Sequence, residues 1–145
     1  MRQLEFDAQV LTVLFSHYLQ CKPSPITSIL IKFTKLPGGY AYEKAFHLRA
    51  TQPIAQTFGP KPSDLLEAGK LLGGTALTFG DSSIQIPTLE GIPVVYIVWT
   101  GNEFPASATV LFDQSASNYL PTEDLAVLAE LTSSRLIRAK NTQKI

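Results

Sequence analysis

The chain has 145 residues, of which 45% are hydrophobic and 17% charged. That is apolar enough for a packed core and too apolar for a disordered segment. Twelve basic and twelve acidic side chains cancel, so the basic surplus with which proteins displace counterions from nucleic-acid phosphates is missing. Cys21 is the only cysteine, which excludes an internal disulfide and a zinc or iron–sulfur site held within this chain alone.

A membrane helix needs about 20 apolar residues in a row. The longest apolar run, Ile92 to Trp99, is shorter and contains Pro93. The N-terminus lacks the basic-then-apolar order of a signal peptide, so a cytoplasmic location is expected. Zero net charge allows self-association, which makes a homo-oligomer or a protein partner the expected company.

The first predicted element is a helix, with Asp7 as its N-cap and Val10, Leu11, Leu14 and Tyr18 at helical spacing. Pro23 and Pro25 end it. Residues 26–33 are β-rich and read as a strand or an extended segment, and Leu36-Pro-Gly-Gly39 reads as a turn. Residues 40–50 read as a helix, with Tyr42, Ala45, Phe46 and Arg49 on adjacent faces and Phe46 buried. Pro53 breaks or restarts that helix, and the Gly59–Pro62 stretch stops it. Ser63 then caps a short apolar helix carrying Leu65, Leu66, Ala68, Leu71 and Leu72. Asp64 lies in its first turn, and Gly73-Gly74 makes its left-handed exit.

From there the pattern changes. Residues 75–79, 83–86, 92–99 and 108–112 are short β-rich runs separated by Gly80-Asp81, Leu89-Glu-Gly91 and Gly101-Asn102, the pattern of an antiparallel meander. The near-continuous apolar run from Val94 to Trp99 makes that strand the central one. A last helix starts near Leu120–Asp124, with Pro121, Glu123 and Asp124 at its positive end. Leu125, Leu128, Leu131 or Thr132, and Leu136 extend it, Arg135, Arg138 and Lys140 suit its negative end, and the tail from residue 140 to 145 is expected to fray. The fold class is therefore α+β: N-terminal helices, an antiparallel β-meander of about four to five strands, and a C-terminal helix, in a single domain spanning 1–145.

Candidate chemistry is sparse. The pairs Gly38-Gly39 and Gly73-Gly74 match no Walker pattern and are explained as turns and helix caps. His17 and His47 sit on predicted helices. His17, near a helix end, is placed to bond a last carbonyl, and a metal site would need both histidines to converge with distant carboxylates. No Gly-x-Ser-x-Gly elbow is present. The richest stretch, residues 99–124, gathers Glu103, Asp113, Asn118, Tyr119, Glu123 and Asp124. Glu103 and Asp113 are the catalytic candidates, as a carboxylate pair whose pKa values burial would split, with Arg49 or His47 as electrostatic partner. The structural alternative gives Asp113 a turn to cap, and Glu123 and Asp124 a helix N-terminus.

Several short motifs recur in a familiar order: Leu36-Pro-Gly-Gly-Tyr40, Phe46 with Arg49, Phe58-Gly59, Leu72-Gly-Gly74, Gly80-Asp81, Ile86-Pro87, Trp99-Thr-Gly-Asn-Glu-Phe-Pro105, Leu111-Phe-Asp113 and Tyr119-Leu-Pro-Thr-Glu-Asp124. Together they resemble the uncharacterised prokaryotic domain-of-unknown-function family 3786, over most of the chain. The family has no established activity. Some of its members carry a cysteine-rich segment of the corrinoid iron–sulfur protein type and come from anaerobes with one-carbon metabolism. The resemblance thus implies a binding module for a corrinoid, or for a methyl-transfer or iron–sulfur partner. Tyr40, Phe46, Arg49, Trp99, Glu103 and Phe104 are the residues that would line such a site.

This chain departs from the family pattern in three ways. It has no cysteine cluster, Asn102 stands where an acidic residue is expected, and it begins close to the first helix. A missing N-terminal strand would leave an open sheet edge, which invites pairing with another chain. The competing functions are a small acid–base enzyme using Glu103 and Asp113, and a structural or oligomerisation domain.

Overall fold

The computed structural model describes residues 2–143, with side chains placed for 8, 9 and 11–142. Helix α1 spans Arg2–Gln20. Asp7 therefore lies inside the helix rather than at its cap, and its side chain and that of Val10 fall outside the described set. Leu14 is buried at the core end of α1. Past Cys21 the chain passes without regular structure to strand β1, Leu30–Lys32. The predicted strand over 26–33 is cut short because Thr27 and Ser28 give their N–H groups to Asp113, and Ser28 takes a left-handed φ of +63°.

The predicted helix over 40–50 is built of three kinds of turn: a 3-10 turn at Gly39–Tyr42, helix α2 at Glu43–Phe46, and a π turn at His47–Thr51. It runs straight on into α3, Gln52–Phe58. Pro53 explains the π turn. It has no N–H to donate, and its ring would meet the carbonyl four residues back in a regular helix. Widening the preceding turn, so that the Gln52 N–H reaches the His47 carbonyl, lets the helix continue instead of breaking.

Helix α4 spans Ser63–Leu71. Its N-cap is Pro62, which already has helical φ and ψ, so Ser63 is the first helical residue and makes no capping bond. Gly73 takes the left-handed exit at φ +78°.

Strands β2 (Thr75–Leu77), β3 (Ser82–Leu89), β4 (Ile92–Trp99) and β5 (Ser107–Asp113) form the meander. With β1 beside β5 they make one antiparallel sheet in the order β1-β5-β4-β3-β2. The central strand is β4, buried from Ile92 to Val98. Ile84, Ile86, Val94, Tyr96, Val98, Val110 and Phe112 alternate onto the face that joins the core, and α3 and α4 pack there. Helix α5, Thr122–Gln143, closes the core with Leu125, Leu128, Ala129 and Leu136. Thr132, not Leu131, is the buried residue of that turn. Lys140, placed in the predicted frayed tail, is helical, and its Nζ donates to the Thr57 carbonyl at 2.9 Å. No helix among the described residues is long and apolar enough to cross a membrane.

Candidate functional site

Two helical faces meet without closing. The first carries Tyr42, Ala45, Phe46 and Arg49. The second, on α5, carries Glu123, Ala126, Val127 and Glu130. Both sets have i, i+3, i+4, i+7 spacing, which on the regular helix α5 puts four side chains on one face, and the 3-10, α and π turns of 39–51 bring the other four to the same groove. Between them lies a groove of about 210 Å³, with Phe33 at its base. Its floor is apolar. The rings of Phe33 and Phe46 stack at 4.1 Å with 2° between their planes, and both tilt against Phe112. Its rim is charged, with Arg49 on one wall and Glu123 and Glu130 on the other.

A second cleft of about 430 Å³ continues from it, sharing Tyr42 and Glu123 and bounded by Pro37, Gly38 and Pro121. The Thr122 hydroxyl donates to the Pro37 carbonyl at 2.6 Å, tying the start of α5 to the turn that begins the 39–58 segment. The same end of α5 is tied to α1, where His17 Nδ1 pairs with the Asp124 carboxylate. His17 thus bridges two helices instead of bonding a carbonyl of its own helix.

The sequence candidates fall into two groups. Phe46 and Arg49 line the groove, and Tyr40 stands exposed on the 3-10 turn beside Tyr42. Trp99, Glu103 and Phe104 lie at the β4–β5 end of the sheet. Trp99 is partly exposed, and Glu103 and Phe104 are exposed. Their loop is fastened by Thr100 N–H to Asp81 Oδ2 at 2.7 Å and Asn102 N–H to the Phe104 carbonyl at 3.0 Å. The structure does not bring these three into the groove that Phe46 and Arg49 line.

Glu103 and Asp113 are not brought together either. Glu103 precedes β5 and Asp113 ends it, a strand length of roughly 20 Å. Asp113 is buried and fully engaged. Its Oδ1 accepts from the Ser28 N–H at 2.8 Å. Its Oδ2 accepts from the Thr27 N–H at 3.0 Å, the Thr27 hydroxyl at 3.1 Å, the Ser115 N–H at 2.9 Å and the Ser115 hydroxyl. Burial pushes the carboxyl pKa upward, but the Ser115 hydroxyl and the Thr27, Ser115 and Ser28 amides outweigh it, and the net shift is downward. Asp113 is the N-cap of the 3-10 turn at Gln114–Asn118 and the clamp on residues 27–28. Such a group accepts hydrogen bonds and is ill-suited to proton transfer.

The α5 wall of the groove is the part that sequence reasoning missed. The core face of α5 announces itself through Leu125, Leu128 and Leu136. The second face, two small residues between two glutamates, reads as ordinary solvated helix. The shared spacing of the two faces is the only signal in the sequence, and it says nothing of their meeting.

A family model described as "Domain of unknown function (DUF3786)" matches residues 2–135. The chain belongs to the DUF3786 family. No curated protein and no solved structure matches it.

Proposed function

We propose that this DUF3786 chain is a binding module and that the Tyr42–Arg49/Glu123–Glu130 groove is its contact site. The observation that carries the reading is the pair of opposed helical faces, apolar at the floor and charged at the rim. That is the composition of sites that receive an apolar side chain and orient it with a few polar groups. The size of the groove selects the kind of ligand. Enclosed small-molecule pockets run to about 300–1,000 Å³, and about 210 Å³ suits one or two side chains of a partner helix. A corrin ring is larger than this groove alone and would have to extend into the adjoining cleft of about 430 Å³. The reading is therefore a protein partner, presenting an apolar side chain flanked by a basic group that faces Glu123. The family resemblance suggests a methyl-transfer or iron–sulfur protein of anaerobic one-carbon metabolism as that partner.

The test places a photo-crosslinking residue at Ala126 and irradiates anaerobic cells of the natural host. A discrete protein adduct, lost when Arg49→Glu is added and absent for the same probe at exposed Lys70, supports the reading. In parallel, hydroxocobalamin is titrated against wild type and Ala126→Trp. A saturable spectral change abolished by Ala126→Trp would move the site to the cofactor reading. No adduct and no titration would sink both.

A further inference from the structure

Strand β5 is longer than the strand at its edge. On one side β4 pairs with it back to Ser107. On the other, β1 reaches only from Asp113 to Leu111, because the chain leaves the sheet at Lys32 and winds into the 3-10 turn Phe33–Lys35. Among the described residues, no strand therefore pairs with residues 107–110 on the β1 side.

Two hydrogen bonds fix which backbone groups face that gap. The Gln114 N–H donates to the Ile29 carbonyl at 2.8 Å, so alternate β5 residues counted back from Gln114, including Ala108, direct their backbone groups toward the β1 side. The Asp81 N–H donates to the Val98 carbonyl at 3.0 Å, which turns Val98 toward β3 and away from its partner Ala108. Both place the Ala108 N–H and C=O on the open edge. Ser107 is exposed and Ala108 half-buried.

The edge is also walled. His47, Gln52 and Gln56 stand opposite it, and with Ala55, Ala106 and Ala108 they bound a cleft of about 520 Å³. A smaller cleft of about 150 Å³, sharing His47 and Ala108, continues toward Lys32 and Glu43. The larger cleft shares no residue with the groove above, while the smaller one meets it across the stacked rings of Phe33 and Phe46.

We propose that the slot beside Ala108 takes an uncharged, extended peptide segment of a partner protein, added to β5 end to end with β1 as a sixth strand. An unpaired edge is a template for strand addition, and this one continues an antiparallel ladder already set by β1. Charge selects the segment. Lys32 and Glu43 offset each other at one end, and the larger cleft is walled by amides, alanines, Pro105 and His47, so no field favours an acidic or basic chain. The small side chains of Ala55, Ala106 and Ala108 leave room for the incoming side chain that points the same way as Ala108. The residue opposite Ala108 is not proline, since it must donate an N–H.

Amide hydrogen exchange tests this first in the free protein. The Ala108 amide is expected to exchange at least about a hundredfold faster than that of Thr109, which faces β4. Equal protection would overturn the proposal. Uncharged heptapeptides displayed on phage are then selected against the domain. Enriched peptides are expected to slow Ala108 exchange about tenfold or more, and to bind at least about tenfold more weakly to Ala108→Pro, which removes an edge N–H without touching the β4 ladder. Ala108→Arg fills the slot and serves if the proline variant fails to fold. Three results overturn the proposal: no peptide that discriminates these variants, peptides that map to the Tyr42–Arg49 groove, or Ala108 protection that rises with protein concentration alone, which would give the edge to a second copy.

Discussion

The N–H of Ser28 reaches Asp113 Oδ1 at 2.8 Å from a backbone held at φ +63°. Ser28 is the only described non-glycine residue with a positive φ, and the left-handed region costs an L-residue about 1–2 kcal/mol. The carboxylate offsets that cost by collecting donors from Thr27, Ser28 and Ser115. Asp113→Asn replaces one acceptor oxygen with a donor facing other donors, and its expected loss is about 3 kcal/mol in urea denaturation. Ser28→Gly should come out within about 0.5 kcal/mol of wild type, because relief of strain and the looser unfolded chain oppose each other. Ser28→Val should lose about 2 kcal/mol, since a β-branched residue tolerates this conformation worst.

Acid should act through the same carboxylate. The native pKa of Asp113 is lowered, so the native state releases this proton more readily than the unfolded chain does. Its stabilisation is complete above the ordinary aspartate value of about 4 and is lost as pH falls through the native value. Asp113→Asn has no such component. The stability gap between wild type and Asp113→Asn, measured by urea titration at a series of pH values, should narrow steadily below about pH 4. A gap that stays constant down to about pH 2 would assign the stabilisation to shape rather than charge.

The parts of the fold set by local pattern are readable in the sequence. The apolar run from Ile92 to Trp99 marks β4 as central because a strand covered on both faces does not alternate. The spacing of Tyr42, Ala45, Phe46 and Arg49 marks one groove wall. What is not readable depends on distant partners. Residues 26–29 have β-rich composition, yet Asp113, more than 80 positions away, takes the amides of Thr27 and Ser28. Pro53 reads as the break or restart of a helix, and α3 does start there with the proline in its first turn, but nothing local announces the π turn that joins it to α2. Glu103 and Asp113 read as a possible pair because they are near in sequence, and β5 holds them apart as an extended strand.

The π turn rests on a buried polar chain that can be broken one atom at a time. The Ser133 hydroxyl donates to the Ala50 carbonyl inside the π turn at 2.7 Å. It also sits 3.0 Å from the Tyr96 hydroxyl, which donates to the Ala129 carbonyl at 2.8 Å. Tyr96 and Ser133 are both buried, and burial first of all keeps the Tyr96 phenol protonated well above its usual range. Ser133→Ala leaves the Ala50 carbonyl without this donor, and the expected cost is about 1–3 kcal/mol. If the π turn shapes the groove wall, Ser133→Ala should also shift the NMR resonances of Arg49 and Phe46. A stability loss with those resonances unmoved would separate the polar chain from the site.

Gly69 gives a prediction in which two terms of opposite sign compete. It lies in the interior of α4, where alanine would be favoured by up to about 1 kcal/mol. But a Cβ built there would stand 2.1 Å from Ile84 Cδ1, 3.0 Å from Cγ1 and 3.3 Å from Cγ2. Ile84 is fully buried on β3, so its side chain has little room to turn away, and overpacking of this kind costs about 1–3 kcal/mol. Packing should win, and Gly69→Ala should lose roughly 1–2 kcal/mol net. Ile84→Val removes the Cδ1 atom that makes the worst contact, at a cost of about 1 kcal/mol by itself. In the double variant the two losses should fall short of additive by about 1 kcal/mol, because the contact they share disappears. Additive losses in a double-mutant cycle would mean that α4 shifts as a body from β3 to admit the methyl group, and the close approach of helix and strand at Gly69 would then be a preference of packing rather than a constraint of the fold.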